Sequence, residues 1–271
     1  MNNANSALAA ATLLTLISAP AGAQWLSYPT AGVPRNADGS PNLSAPAPRT
    51  SSGLPDFSGI WEPEKNRPCP PEGCDDIQVP QEFVNIGWSL KGGLPFQPWA
   101  AELRKTRTAN LRRDDPTAHC LPIGLVGMQT APFLKKVIQT PGLLVIINER
   151  DVMYRQIFTD GRPLPLDPHP SWNGYSTGRW VGDTLVVQSN GFRDDGWLDR
   201  GGSPLTAAAK ITERFRRVNF GRMEIEVTVD DPKAYTAPWT VKLTQVIALN
   251  TDLLDYVCLE NEKDLAHVPA K

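Results

Sequence analysis

The chain has 271 residues, of which 41% are hydrophobic and 21% are charged, and its formal net charge is −2. This composition is ordinary for a globular protein, and the near-neutral charge argues against a nucleic-acid partner, which would require a basic surface. Only three histidines are present, so a histidine-based metal site is not expected.

The first element is a short apolar run at the N-terminus. Residues 7–18 form this run, and an Ala-x-Ala cleavage pattern ends at Ala23. The pattern predicts a signal peptide over residues 1–23, and therefore a periplasmic or secreted protein. A short buried helix is the alternative, because residues 1–6 contain no Lys or Arg. No later apolar run approaches the ~20 residues that a membrane-spanning helix needs.

Residues 24–55 are rich in Pro, Ser, Ala and Gly and contain an internal repeat. Residues 35–45 recur as residues 49–59. Such a composition cannot bury enough apolar surface to fold alone, so we expect an extended arm laid along the domain. The second copy runs into Phe-Ser-Gly-Ile-Trp at 57–61, which predicts the first strand of a domain spanning 56–268.

The four cysteines suit disulfides in an exported protein. Cys69 and Cys74 flank a tight Pro/Gly loop that would accommodate a local bridge, which leaves Cys120 to pair with Cys258. Free thiols and a Cys-x4-Cys metal site are the alternatives, but no further Cys or His lies near Cys69 and Cys74. We therefore predict neither a metal nor a cofactor.

The rest of the chain predicts one helix followed by many strands. Residues 96–113 show an amphipathic helical pattern with Pro98 near its start. From residue 133 onward, runs of Val, Ile, Leu, Thr and aromatic residues predict strands, several with period-two alternation. The predicted strands are 133–139, 142–149, 152–159, 174–180, 183–190, 210–217, 222–230, 239–248 and 252–259. We expect a mainly β fold, an antiparallel up-and-down lipocalin-like barrel with one accessory helix, with a β-sandwich as the alternative.

The connections between these strands alternate between short and long. If consecutive strands pair antiparallel, the long loops 160–172, 192–204 and 231–239 share one end of the barrel, where closed barrels usually hold ligands. In the alternative interpretation, the loop aromatics cap the barrel and the loop charges pair with one another. The residues predicted to bind a ligand are Asp160, Arg162, Trp172, Tyr175, Arg179, Trp197, Tyr235 and Trp239.

One hairpin predicts a carboxylate inside the barrel. Pairing Phe215 with Met223 places Glu213 opposite Ile225 on the inner face and matches an Arg with a Glu on the outer face. A carboxylate on an apolar wall needs a partner or a raised pKa.

Two roles for this carboxylate remain open. In the first, Arg155 or Arg179 forms a buried ion pair with Glu213. In the second, Glu213 acts as a general acid or base together with Asp199 and Arg155.

Several motifs resemble known families. The Gly-Ile-Trp at 59–61 resembles the Gly-x-Trp entry of lipocalin-like barrels, although no counterpart of the Arg that often packs on that Trp is evident. Pro-Asp-Phe-Ser-Gly-Ile-Trp at 55–61, Phe-Thr-Asp-Gly-Arg-Pro-Leu-Pro at 158–165, Gly-Asp-Thr-Leu-Val-Val at 182–187 and Thr-Glu-Arg-Phe-Arg at 212–216 are similar to a large uncharacterised family of exported soil-bacterial proteins. This resemblance implies export but no activity.

Three functions are compatible with these observations. The first is an exported barrel that binds a small apolar or aromatic molecule in its cup. The second is a lyase, hydratase or isomerase that uses Glu213. The third is a carbohydrate-binding or envelope interaction module with Trp172, Trp197 and Trp239 exposed in a row. No Gly-x-Ser-x-Gly or dinucleotide-binding motif indicates another chemistry, and the sequence indicates no oligomeric state.

Overall fold

The computed structural model describes residues 28–65, 80–151 and 153–260. Within them, nine strands form a closed barrel in chain order, because β1 pairs with both β2 and β9. The strands are β1 (Gly59–Pro63), β2 (Lys135–Thr140), β3 (Leu143–Asn148), β4 (Tyr154–Phe158), β5 (Tyr175–Val181), β6 (Thr184–Asn190), β7 (Lys210–Asn219), β8 (Arg222–Asp230) and β9 (Trp239–Ile247). The predicted barrel is therefore confirmed, and the sandwich is excluded.

The described helices lie between β1 and β2. They are α1 (Gln81–Val84), α2 (Pro98–Ala109), a 3-10 helix (Pro116–His119) and α3 (Gly124–Thr130). The predicted accessory helix is α2, which begins at Pro98 because a proline without an N–H is tolerated in the first helical turn. The predicted signal peptide and the Cys69–Cys74 bridge lie outside the described residues.

One strand pair departs from the up-and-down pattern. β4 and β5 run parallel and share a single pairing, Phe158 with Thr177, whereas the other neighbouring strands pair antiparallel. The loop 159–174 therefore crosses from one end of the barrel to the other. This loop cannot form a strand between β4 and β5, because its prolines lack the N–H groups that a ladder requires. The prolines are Pro163, Pro165, Pro168 and Pro170.

The crossover changes how the loops are distributed between the two ends of the barrel. One end, which we call the plugged end, carries the helical segment and the loops 149–153, 191–209 and 231–238. The opposite end, the base, carries the turns 141–142, 182–183 and 220–221. The prediction that all three long loops share one end is thus wrong for the loop 160–172, because β4 and β5 are parallel.

The described residues that follow β9, up to residue 260, form no further strand. The predicted strand 252–259 is wrong, because β9 is already paired with β1 and no barrel edge remains for another strand. The segment instead forms a single bridge from Tyr256 to Arg150 and the predicted disulfide between Cys120 and Cys258. The disulfide anchors this segment beside the plugged end.

The two copies of the N-terminal repeat form equivalent turns along the base. In each copy an arginine donates a hydrogen bond to the carbonyl of a glycine four residues later, at 3.1 Å for Arg35 and 2.8 Å for Arg49. The Arg49 guanidinium also binds both carboxylate oxygens of Asp183, at 2.9 and 2.6 Å. After the second copy, Phe57 is buried and stacks on Trp180 with ring centroids 5.4 Å apart. The second copy is therefore fastened to the barrel.

The first strand is anchored by an arginine that the sequence did not reveal. Trp61 is fully buried, and the Arg217 guanidinium lies 4.8 Å from its ring centroid. Arg217 also donates hydrogen bonds to the main-chain oxygens of Asp56 and Phe220. Desolvation lowers the pKa of Arg217 to about 10. The Trp–Arg contact missing from the sequence analysis is thus supplied by β7.

Candidate functional site

The predicted mouth is closed by buried side chains. All residues of α3 except Gly124 are buried. Trp197, Tyr235 and Trp239 are only 8%, 1% and 5% exposed, and the Tyr235 hydroxyl donates to the Pro204 carbonyl at 2.8 Å. These aromatics therefore cap the barrel, as in the alternative interpretation of the loops, and Trp197 and Trp239 do not form an exposed row.

Asp199 belongs to this cap. Its carboxylate accepts hydrogen bonds from the main-chain N–H groups of Ile86 and Ser203, both at 3.0 Å, and from the Ser203 hydroxyl at 2.9 Å. Burial raises the pKa of Asp199 despite these hydrogen bonds. Asp199 therefore stabilises the conformation of the loops around it. It forms no hydrogen bond with Glu213 or Arg155.

A buried ion pair occupies the barrel interior. Glu213 is completely buried, and both of its oxygens bind the Arg155 guanidinium, with 3.1 Å between Oε1 and Nη1. The Arg155 guanidinium also donates to the hydroxyls of Ser176 and Ser189, at 3.1 Å from Nη2 in each case. Of the two predicted partners, Arg155 is therefore the observed one. Arg179 is exposed on the outer face of β5, because inward-facing residues alternate with outward-facing ones.

The hairpin register differs from the predicted one by two residues. Phe215 lies opposite Ile225, and Glu213 lies opposite Val227. The position of the turn at residues 220–221 and an irregularity between Arg217 and Asn219 together set this pairing. Because side chains alternate with period two, a two-residue shift leaves Glu213 on the predicted inner face.

Lys135 is a second buried charge that the sequence analysis missed. The side chain is 1% exposed, and its Nζ donates to the main-chain oxygens of Met128 and Gln129, at 3.2 and 3.3 Å, near the end of α3. Burial lowers the pKa of Lys135 to about 7, although the negative charges of Glu213 and Glu62 oppose this shift. The sequence did contain a signal for this position. Val137 lies two residues later on β2 and faces inward, so alternation places Lys135 on the same inner face.

The depressed pKa of Lys135 predicts a pH-dependent stability. Native Lys135 loses its proton above about pH 7, whereas an unfolded lysine keeps it up to about 10.5. Between these values the unfolded chain binds more protons, so the free energy of unfolding should rise with pH. We expect Lys135→Met to reduce the increase in the free energy of unfolding with pH. Urea unfolding measured between about pH 7 and pH 10, below the pKa of Arg217, would show this. Equal slopes in the two proteins would contradict the assignment.

A cavity of about 490 Å³ opens on the side of the barrel where β4 and β5 diverge. We call it the side groove. Its walls include four aromatic side chains, and two inward-facing residues of the ion-pair network, Arg155 and Ser176, also line it. The aromatic residues are Tyr154, Phe158, Trp172 and Tyr175.

Stacking and hydrogen bonds fix the walls of the side groove. The rings of Phe158 and Tyr175 stack across the two strands with centroids 5.3 Å apart. The Arg162 guanidinium lies 3.9 Å from the Phe158 ring centroid and donates to the Tyr175 hydroxyl at 3.3 Å. Asp160 binds the same guanidinium at 2.6 Å, and this contact lowers the pKa of Asp160. The groove is therefore pre-formed at its end nearest the base.

The structure thus separates the predicted ligand-binding residues. Trp172 and Tyr175 line the side groove, and Asp160 and Arg162 support it. Sequence reasoning missed the groove residues Tyr154 and Phe158, although alternation along β4 could have identified their outward positions.

The ion pair lies behind the side groove rather than in it. Arg155 reaches the groove, but Glu213 lines neither the side groove nor a second cavity at the base. Neither large cavity therefore places a substrate against the Glu213 carboxylate, and the geometry favours the buried ion pair over a general acid or base.

No family model matches the chain, and no curated protein matches it significantly. Across residues 28–65, 80–151 and 153–260, no cluster of His, Cys, Asp and Glu is arranged to hold a metal ion. No helix in that part of the chain could span a membrane.

Proposed function

We propose that this protein binds a small, flat aromatic molecule in the side groove. The observation that carries the proposal is the grouping of Tyr154, Phe158, Trp172 and Tyr175 around a cavity of about 490 Å³. Small-molecule sites are typically concave and rich in aromatic surface, with a few polar groups that orient the ligand. The proposal keeps the predicted ligand class and moves the site from the barrel mouth to its side.

The polar groups of the groove favour an uncharged ligand. Two charged residues line the groove, and each is already paired. Arg155 is neutralised by Glu213, and Asp151 binds the Arg150 guanidinium at 3.0 Å. Gln156, Asn173 and the tyrosine hydroxyls supply neutral hydrogen-bonding groups. A ring that carries a hydroxyl or carbonyl group would satisfy these groups and stack on the walls, where each aromatic contact contributes about 0.5–1.5 kcal/mol beyond burial.

The proposed location of this activity is outside the cytoplasm. The Cys120–Cys258 disulfide supports this assignment, since such bonds persist in oxidising compartments. The N-terminal signal pattern supports it independently. The ligand would therefore be encountered in the periplasm or the medium.

Calorimetric titration with 2-naphthol tests this function. We expect 2-naphthol to bind, and its fully saturated analogue, decahydro-2-naphthol, to bind more weakly because it cannot stack. Tyr154→Ala should weaken 2-naphthol binding roughly tenfold, which corresponds to about 1.4 kcal/mol. Tyr154 is 65% exposed, so its removal should leave the barrel intact.

Tyr28→Ala is the matched control for Tyr154→Ala. Tyr28 is also exposed, at 48%, but does not line the groove. This variant should bind 2-naphthol like the wild type. Equal affinities of the wild type and Tyr154→Ala, or equal binding of the aromatic and saturated probes, would contradict the proposed function.

A further inference from the structure

A second cavity, of about 410 Å³, lies at the base between the N-terminal arm and the barrel. We call it the base cavity. Leu144 and Leu185 line it, and both are almost completely buried on the inner wall of the barrel, so the cavity reaches the apolar core. Trp180 lines it as well, with its ring stacked on Phe57.

Hydroxyl groups surround this apolar floor. They come from the arm, the end of β2 and the start of the crossover loop. Two of them, Thr50 Oγ1 and Ser52 Oγ, lie 2.9 Å apart. The hydroxyl-bearing residues are Thr50, Ser51, Ser52, Thr140 and Thr159. The cavity thus offers both apolar surface and hydroxyl groups, as the two halves of an amphiphilic ligand would require.

The lining carries no cation and one anion. Asp56 is the charged residue among the lining residues, and its Oδ1 accepts a hydrogen bond from the Ser58 N–H at 2.8 Å. Arg217 lies beside Asp56 and donates to its main-chain oxygen, and the opposite charges of the two side chains attract each other. A carboxylate or phosphate head group would find no lysine or arginine, and an ammonium group would compete with Arg217.

The arm is held across this cavity by specific contacts. Arg49 binds Asp183 through two hydrogen bonds. The Gln139 side chain accepts from the Phe57 N–H at 2.8 Å and donates to the Pro55 carbonyl at 3.1 Å. These bonds hold the second repeat as a fixed cover that leaves space beneath it.

We propose that the base cavity binds a neutral amphiphile, a straight alkyl chain that carries a hydroxyl head. The chain packs against Leu144 and Leu185, and the hydroxyl bonds to the Thr and Ser side chains of the rim. This site is separate from the side groove, since the two cavities share no lining residue. Affinity for 1-alkanols should rise roughly fourfold for each methylene added until the floor is filled.

NMR of the full chain, with leucine methyl groups labelled and 1-octanol as the probe, tests the proposal. We expect intermolecular NOEs from the octyl chain to the methyl groups of Leu144 and Leu185. Octanoate and octylammonium, which have the same tail, should bind at least tenfold more weakly. NOEs only to leucines other than Leu54, Leu144 and Leu185, which line the cavity, would overturn the proposal. So would no binding of 1-octanol, or equal binding of either charged probe.

A pair of matched variants supplies the second measurement. Leu185→Phe should fill the floor and abolish binding of 1-octanol. Leu166→Phe makes the same change at a fully exposed residue of the crossover loop and should leave binding unchanged. Retained binding in folded Leu185→Phe would overturn the proposal, and if this variant does not fold, the wild-type NOEs decide. The 2-naphthol titration tests the side groove separately, so either site can fail alone.

Discussion

Replacing Glu213 with leucine is expected to lower the free energy of unfolding by about 3–5 kcal/mol, because the Arg155 guanidinium would stay buried without its counter-charge. Arg155 is only 2% exposed, and the hydroxyls of Ser176 and Ser189 can bind it but cannot neutralise it. Urea unfolding of the wild type and the variant would measure the loss.

The double variant Arg155→Met/Glu213→Leu separates the ion pair from the packing. Removing both charges should recover much of the stability, since apolar side chains often replace a buried ion pair without loss. The control is Glu226→Leu on the outer face, where Arg214 and Glu226 lie 3.8 Å apart and are about half exposed. This control should cost at most about 1 kcal/mol. If Glu213→Leu were as stable as Glu226→Leu, the Arg155–Glu213 ion pair would not be important for the stability of the barrel.

Replacing Cys120 and Cys258 with serine is expected to lower the free energy of unfolding by about 2–5 kcal/mol, because the disulfide closes a long loop in the unfolded chain. The two cysteines are 138 positions apart. The bond joins the segment 248–260, in which no strand is described, to the residues that follow the 3-10 helix. Denaturant unfolding of the double variant would measure the effect.

The same variant carries a structural prediction. Tyr256 packs against Phe133 and bridges to Arg150, but these contacts alone should not hold the segment as firmly. Amide hydrogen exchange of residues 253–258 should therefore accelerate in the serine variant while the barrel strands stay protected. An unchanged unfolding midpoint together with unchanged exchange would refute this role of the bond.

The barrel could be predicted because its strands carry their own signal. Met223, Ile225, Val227 and Val229 alternate with polar residues, and this period of two fixes both the strand and its inner face. The same period placed Glu213 inside even though the predicted register was displaced by two residues. Local alternation is robust to such an error, whereas exact pairing depends on the turn.

The parallel pairing of β4 and β5 could not be predicted, because the alternation of apolar and polar residues does not indicate the direction of a strand. Nothing in β4 or β5 distinguishes an antiparallel neighbour from a parallel one, and the long loop 159–174 is compatible with both. The prolines of the loop were the available signal, since they prevent it from pairing as a strand. The side groove follows directly from this pair and was therefore missed as well.

The plugged end was mispredicted because burial of loop aromatics depends on distant segments. The Arg107 guanidinium of α2 lies 4.6 Å from the Trp197 ring centroid, and Phe96 lies 5.5 Å from Tyr235. These covering residues come from the chain before β2, whereas the aromatics follow β6 and β8. A loop rich in Trp and Tyr predicts an interface, but its sequence does not show whether the partner is a ligand or another part of the chain.

A crystal structure of the protein grown with 2-naphthol tests the side groove most directly. We expect the naphthol ring to lie between β4 and β5 and to stack on at least two of Tyr154, Phe158, Trp172 and Tyr175. We also expect its hydroxyl to bond to a polar side chain of the groove. A naphthol molecule found only in the base cavity, or an empty groove at a concentration that saturates binding in solution, would contradict the proposed function.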